Sequence, residues 1–524
     1  MKKKLAAVLA GLAVLVLLGG KWLTDRYLIF HWQLLPRDAE VLDLREETLD
    51  FTEYEQLQEK LPHCRILWNV PFQGGLQSSA EEVLYIDSLE EADLPVLKYF
   101  PELKALDASG CTDYENLLRL AEEYPALQLT YQVSLGKEAV DNHTRSLVLE
   151  DPSVEELMQK LHWLPALENL TLTGTLPEPE TLARLQQAYP GREILWEIPL
   201  GEGTVRSDAE NLDLREHSLS AEDVTELLRW LPNVKTVNLT GSALTDEALM
   251  ALADVHEGRF FLWEMTMGSK KIPTDAVEID ISGEIQESTA FIESRLPYFP
   301  NVEKVIMSHC GLDNETMDAL NGRYEDIRFV WTVKIRYQNV RTDETWFYPV
   351  KLDRSAVVDS KDLYPLRYCT DMVCIDVGHM WGVNECEWAA FMPNLRYLVL
   401  AYTSVEDLTP LSGLKNLVFL EIFHTPVKDY SPLIGCTGLE DLNLSMTTGD
   451  YRPLMEMPWL KNVRWAGIAG SRGLPCSGAH EVLPAALPDV NWNFYGKYAA
   501  YKSDWRQLPN YYAMRDYLGM FYLR

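Results

Sequence analysis

Ten histidines and eight cysteines supply the side chains most often used for metal binding and nucleophilic attack. Their spacing serves neither chemistry. The chain holds no His-Glu-x-x-His helix, no paired Cys/His zinc pattern and no Gly-x-Ser-x-Gly elbow. GIAGSRGLPCSGAH (467–480) is the one glycine-rich loop, but it lacks the Gly-Lys-Ser/Thr ending that cradles phosphate. Cys476 and His480 within it could form a thiol and its base, and an ordinary connecting loop accounts for them better. Cys369, Cys374 and Cys386 are close enough in sequence to permit one local disulfide. Carboxylates are abundant, yet most fall on the solvent faces of expected helices, where a chance pair is not a catalytic pair. No cofactor, metal or catalytic residue is expected. An enzyme whose site follows no known motif is kept as an alternative.

Binding chemistry is better represented. A net charge of −32 repels phosphate and excludes nucleic acid as a partner. Lys2, Lys3 and Lys4 precede the apolar run Leu5 to Leu18, the layout of a secretory signal. The run is short for a membrane span, which needs roughly 17–25 residues. Lys21 could snorkel and Trp22 and Leu23 could extend it. Residues 1–30 are therefore expected to be a signal peptide or, preferably, an uncleaved signal-anchor helix, leaving the rest membrane-anchored outside the cytoplasm, or secreted.

The elements that must carry any site are set by repetition. RILWNVPFQG (65–74) returns as LQLTYQVSLG (127–136), REILWEIPLG (192–201), FFLWEMTMG (260–268) and RFVWTVKI (328–335). The central aromatics Trp68, Tyr131, Trp196, Trp263 and Trp331 lie 63, 65, 67 and 68 residues apart by subtraction. Period-two alternation predicts a long half-buried strand in each copy, its aromatic filling a recurring core slot. Around it each unit reads strand–helix–strand–helix–long strand–turn. Ser220 to Asp223, for example, opens a helix running through Val224, Leu227, Leu228 and Leu231. KIRYQNVRTDETWFYPVKLD (334–353) reads as a hairpin about Arg341–Glu344.

The second strand of each unit is more specific. LKALDASGCT (103–112), LENLTLTGT (167–175), VKTVNLTGSAL (234–244) and VEKVIMSHCGL (302–312) each place a small or polar residue ninth: Cys111, Thr175, Ser242 and Cys310. From 372 the pattern tightens to 21–22 residues, marked by Leu395, Leu417, Leu439 and Leu460, with Thr403, Thr425 and Thr447 ninth. This resembles the leucine-rich repeat, and "DLTPLSGLKNL" and "DYSPLIGCTGLEDL" resemble the short internalin-like repeats of exported bacterial surface proteins. The resemblance implies an α/β leucine-rich-repeat solenoid with parallel strands on the concave face and helices and turns behind. It also implies a buried polar ninth residue, so Cys111 and Cys310 are structural.

The expected organisation is an irregular array of ~65-residue compound units over 31–350, a junction at 351–371, regular repeats at 372–470 and a C-terminal cap at 471–524. The aromatic-rich stretch 490–524 would supply a strand and a helix covering the last repeat; a membrane- or ligand-binding tail is the alternative. On the regular strands the outward positions give Tyr397, Tyr402, Phe419, Glu421, Phe423, His424, Asp441, Asn443 and Arg464. Aromatics on a rigid strand surface are typical of interfaces. Two readings stand: a contact patch at 395–465 for a protein or surface-glycan partner, or aromatics packed beneath the C-terminal segment. The family resemblance favours a non-enzymatic binding or scaffold module at the cell surface. The rival is a structural envelope protein without a discrete ligand site. Five Asn-x-Ser/Thr sequons, at Asn142, Asn169, Asn238, Asn314 and Asn443, are best explained by chance, since three fall inside expected strands.

Overall fold

A computed structural model describes residues 26–31, 33–349, 358–467, 478–494 and 504–520. The signal segment, and Cys476 with most of the glycine-rich loop, lie outside them. Among the described residues no helix is long and apolar enough to cross a membrane. The chain forms two compact units, residues 26–211 with 222–234 and residues 212–221 with 235–520.

In the first unit, parallel strands follow in chain order. Val83–Tyr85, Ala105–Asp107 and Gln128–Thr130 make one three-stranded set, and Ser146–Glu150, Asn169–Thr173 and Glu193–Leu200 the next. Their middle residues, such as Leu84, Leu106 and Leu129, join a core that runs without a break from Leu35 to Trp196. The helix at Ala221–Trp230 forms where its cap and spacing place it, burying Val224 and Leu228.

The recurring aromatic phrase is not one long strand. Each copy is a short parallel strand, then the aromatic, then an antiparallel hairpin: Asn69–Phe72 with Gly75–Ser78, Gln132–Leu135 with Glu138–Asp141, Glu264–Met267 with Lys270–Pro273, and Thr332–Ile335 with Gln338–Arg341. Only Glu193–Leu200 runs through both parts. The last hairpin turns at Arg336–Tyr337, not at Arg341–Glu344, because it copies the earlier four. The two-residue turns take left-handed backbone, as at Gln73 and Gly74 (φ 50° and 73°) and Gly268 (φ 71°), which matches the strand twist.

A polar residue closes the hairpin of each aromatic phrase: Ser79, Asn142, Ser207, Thr274 and Thr342. Each stands eleven residues after its aromatic and is almost fully buried. Its side-chain oxygen accepts the aromatic's backbone N–H at 3.0, 2.9, 3.1, 3.1 and 3.1 Å. Its own N–H returns to the aromatic's carbonyl at 2.8–3.0 Å. The aromatic leaves the parallel ladder there, so these side chains satisfy a backbone group that no strand reaches. Most of the aromatics also anchor their polar tips. Tyr131 donates to the Trp163 carbonyl, Trp196 to that of Trp230, Trp263 to Asp246 and Trp331 to Asn314.

The second unit repeats this scheme at Thr236–Asn238 with Phe260–Leu262, and at Glu278–Asp280, Lys304–Ile306 and Arg328–Val330. It then becomes a seven-stranded parallel sheet: Trp346–Phe347, Cys374–Asp376, Tyr397–Val399, Phe419–Glu421, Asp441–Asn443, Asn462–Arg464 and Asn491–Asn493. The sheet starts at Trp346, ahead of the expected junction. Ile375, Leu398, Leu420, Leu442 and Val463 form its buried middle column. Behind it lie 3₁₀ turns, Thr409–Leu411, Ser431–Gly435 and Arg452–Glu456, each with proline near its start, where a missing N–H costs nothing. Asp407, Asp429 and Asp450 accept the N–H two residues on at 2.8–3.0 Å and close each turn.

The ninth residue behaves as the repeat pattern implies at Thr403, Thr425 and Thr447, whose hydroxyls donate to the carbonyl three residues back at 2.7, 2.8 and 2.6 Å. Buried Cys310 donates to the Ile281 carbonyl at 3.2 Å. Thr175 is exposed instead, and Asp151 caps that turn from the preceding strand. The seven described cysteines are all unbridged and buried. Cys369 and Cys386 face the repeat core, Cys374 lies on the opposite face of the sheet, and none of the three is bridged, so the local disulfide is absent. Burial pushes the Cys369, Cys386 and Cys436 thiols up to about 12.

Removing a hairpin clamp should leave a buried N–H without an acceptor. Thr274→Val is expected to cost about 1–3 kcal/mol in urea unfolding, whereas exposed Thr204→Val should fall within about 0.5 kcal/mol of the parent. Equal midpoints for the two variants would remove the clamp's role.

Candidate functional site

The first positions of the terminal strands form a column on the face turned away from the repeat core: Cys374, Tyr397, Phe419, Asp441 and Asn462. The third positions form its neighbour: Asp376, Val399, Glu421, Asn443 and Arg464. Period-two alternation puts both columns outward once the middle leucines point inward. This is the sheet face on which the sequence places its candidate patch.

That face is covered. Residues Asp504–Gln507 and the helix Pro509–Tyr517 lie across the middle strands of the sheet. Trp505, Tyr511, Met514 and Leu518 are buried against Cys374, Tyr397, Val399, Phe419 and Phe423, in an apolar cluster separate from the repeat core. The Trp505 ring lies 5.3 Å from Phe419, Tyr511 6.2 Å from Phe419, and Tyr517 5.7 Å from Tyr397. The Cys374 thiol reaches the Met514 carbonyl at 3.6 Å. We call residues 504–520 the strap. Of the strand and helix expected from 490–524, the strand Asn491–Asn493 does extend the sheet beyond the last repeat, while the helix lies across the middle strands instead and Ala479–Ala486, upstream of that stretch, packs on the turn behind.

Polar groups are sealed under the strap as well. Glu421 Oε1 accepts from Asn443 Nδ2 at 2.8 Å and from Trp505 Nε1 at 2.9 Å. Asp441 accepts from Asn462 at 2.8 Å and from Asn510 of the strap at 3.1 Å. Asn510 also reaches Glu440 at 3.3 Å. Arg464 is 2% exposed, and burial lowers its pKa against the pull of Glu421 and Asp504. Burial raises both carboxylates. For Glu421, Asp376 adds to the rise, while Asn443, Trp505 and Arg506 oppose it. For Asp441, Glu440 adds, while Asn462, Asn510 and Lys461 oppose it.

Of the nine candidate residues, the structure gathers Tyr397, Phe419, Glu421, Phe423, Asp441, Asn443 and Arg464 beneath or beside the strap. The remaining two stand at the rim where the strands end: Tyr402 is half-buried and His424 is exposed. Sequence reasoning missed their neighbours His379 and Trp381. Tyr402 stacks on His379 at 4.6 Å and meets His424 edge-on at 4.8 Å, and Trp381, 66% exposed, lies 6.3 Å away.

A backbone feature builds this ladder. His379, Tyr402, His424 and Met446 all take left-handed backbone, φ 65°, 57°, 56° and 62°. Each N–H donates to a carbonyl of the next repeat at 2.7–2.9 Å, which holds the conformation against its steric cost. The available signal was the bulky residue immediately before each buried threonine or turn, in the phrases VGHM, LAYT, IFHT and LSMT. Among the described residues no group of three metal-ligating side chains occurs. The sequons serve the structure: Asn142 is a hairpin clamp, Asn314 holds Trp331, and Asn443 is fully buried.

The raised carboxylates set the sign of a pH effect. Glu421 and Asp441 hold protons more tightly in the folded chain than in water. Their contribution to folding is therefore present below the ordinary carboxylate range and lost as pH rises through the raised values. The urea midpoint should lose this contribution as pH is raised above the ordinary carboxylate range, and Glu421→Gln should reduce the loss. The opposite trend would refute the assignment.

No family model and no curated protein matches the chain. Solved structures do. An internalin from Listeria monocytogenes is 17% identical over 56% of this chain and 64% of its own, with a TM-score of 0.22. The chain thus spans less than two-thirds of that protein. A leucine-rich-repeat protein of Leptospira interrogans is 11% identical over 78% of this chain and 93% of its own, TM-score 0.21. Toll in its Drosophila complex with Spatzle is 11% identical over 80% and 56%, TM-score 0.22. The assignment rests on the chain's own geometry: successive parallel strands one repeat apart, a buried leucine column and a buried threonine closing each turn give it a leucine-rich-repeat fold.

Proposed function

We propose that the chain is a non-enzymatic binding or scaffold module that works outside the cytoplasm, tethered by its N-terminal apolar segment, and that it takes a protein partner on the rim of its terminal repeats. The observation that supports this most is the ring ladder His379–Tyr402–His424 with Trp381 beside it. Large flat side chains held by a rigid backbone lose little entropy on contact, which suits them to recognition. The half-buried Glu421 and the buried Asp441 are each matched to a donor of the strap, which accounts for them without acid–base chemistry. The chain's acidity favours a partner with basic groups around its contact surface. A surface glycan would use the same rings by stacking.

Full-length protein is used to capture ligands from bacterial surface extracts, alongside Trp381→Ala/His424→Ala. The double variant should melt within about 2 °C of the parent, because both side chains are exposed, and should recover a defined protein set several-fold less well. Equal recovery by both forms would sink the rim as the contact surface. Loss of capture after periodate treatment of the extract would move the assignment from protein to glycan.

A further inference from the structure

Residues 478–494 already finish the sheet, adding the last strand and packing the helix Ala479–Ala486 on the turn behind it. The strap is therefore not needed to cap the repeats, yet it buries a tryptophan, a tyrosine, a methionine and a leucine on them. Its seat has the makeup of a recognition groove rather than of a core. One half is apolar, with Cys374, Tyr397 and Phe419; the other is polar, with Asp441 and Asn443 buried and hydrogen-bonded and Arg464 buried near Glu421 and Asp504. Burying charged groups costs desolvation that a leucine seat would avoid, and what it supplies is discrimination among occupants. The strap reads that seat residue by residue. Trp505 covers Phe419 and donates to Glu421, Asn510 donates to Asp441, and Met514 covers Cys374.

From this we infer that the outer face of the 374–464 strands is a helix-binding groove, held closed by the chain's own strap acting as an intramolecular ligand. The partner that fits it is an amphipathic helical segment repeating the strap's spacing: a tryptophan, an amide five residues on, then tyrosine, methionine and leucine at six, nine and thirteen. Such a segment lays one apolar stripe into a groove and sets its register with a polar anchor. The groove adds to the binding-module reading; Tyr402 borders both surfaces, but Trp381 and His424, the residues that test the rim, take no part in the groove.

Cys374 reports the strap's position, because its thiol is buried beneath Met514. Cys386 and Cys436 report the repeat core. Maleimide labelling of full-length protein is mapped by mass spectrometry for the parent, for Trp505→Ala and for Tyr511→Ala/Met514→Ala. The probe is a synthetic peptide of residues 504–520. Cys374 should label at least about tenfold faster in one or both variants, with Cys386 and Cys436 still protected. The peptide should restore its protection saturably, and a peptide with its tryptophan replaced by alanine should not. The inference is overturned if Cys374 stays protected in both variants, if the core cysteines label with it, or if the peptide restores nothing. Trp381→Ala should leave all these rates unchanged, so failure here and failure of the rim are read separately.

Discussion

A strand of three residues cannot hold itself in water; its backbone groups and its one inward side chain must be completed by neighbours on both sides. Everything in this chain follows from that constraint. The middle column Ile375–Leu398–Leu420–Leu442 is fully buried because each leucine is covered by the repeats before and after it. Wherever the backbone leaves the ladder, a side chain takes over. Thr403, Thr425 and Thr447 do so after the strand, the aspartates 407, 429 and 450 before the 3₁₀ turn, and Ser79, Asn142, Ser207, Thr274 and Thr342 at the aromatics. The polar residues of the interior are thus a map of where the regular pairing stops.

The left-handed residues at the strand ends extend the same logic outward. Non-glycine residues there are uncommon and strained. Here the N–H of each is committed to the next repeat, so the strain is held by the lateral stacking that holds the leucines. One consequence is functional: the rings of His379, Tyr402 and His424 stand at a fixed repeat spacing on a backbone that has no slack. The rim ladder is a by-product of the ladder inside.

Much of the architecture could be read from the amino acids. The period of the aromatic phrase, the ninth-position threonines and the leucine spacing each name a packing need that only a repeat stack meets. The reading failed where two structures share one pattern. A short parallel strand followed by a hairpin and a single long strand both alternate with period two, and only the clamp eleven residues on separates them. The site was less legible. Tyr397 and Phe419 were placed on the correct face, but exposure is not a property of a strand alone. It depended on residues 504–520, about a hundred positions downstream by subtraction. No local pattern connects Trp505 to Phe419.

The strap's chemistry separates two roles that a C-terminal helix can have. A cap exists to hide apolar surface, and the best cap is greasy and permanent. On that view Asp441 and Glu421 are misplaced, because a leucine at either position would bury more favourably and would not raise a carboxyl pKa. They make sense if the face must distinguish one occupant from another, since each acid is matched by one donor of the strap, Asn510 or the Trp505 indole. An apolar helix lacking those donors would leave two buried acceptors without strap partners, a penalty larger than the gain from any single matched bond. The polar half of the seat thus excludes wrong occupants, while the apolar half around Phe419 supplies the attraction. A face that needed only to be covered would have no reason to carry both.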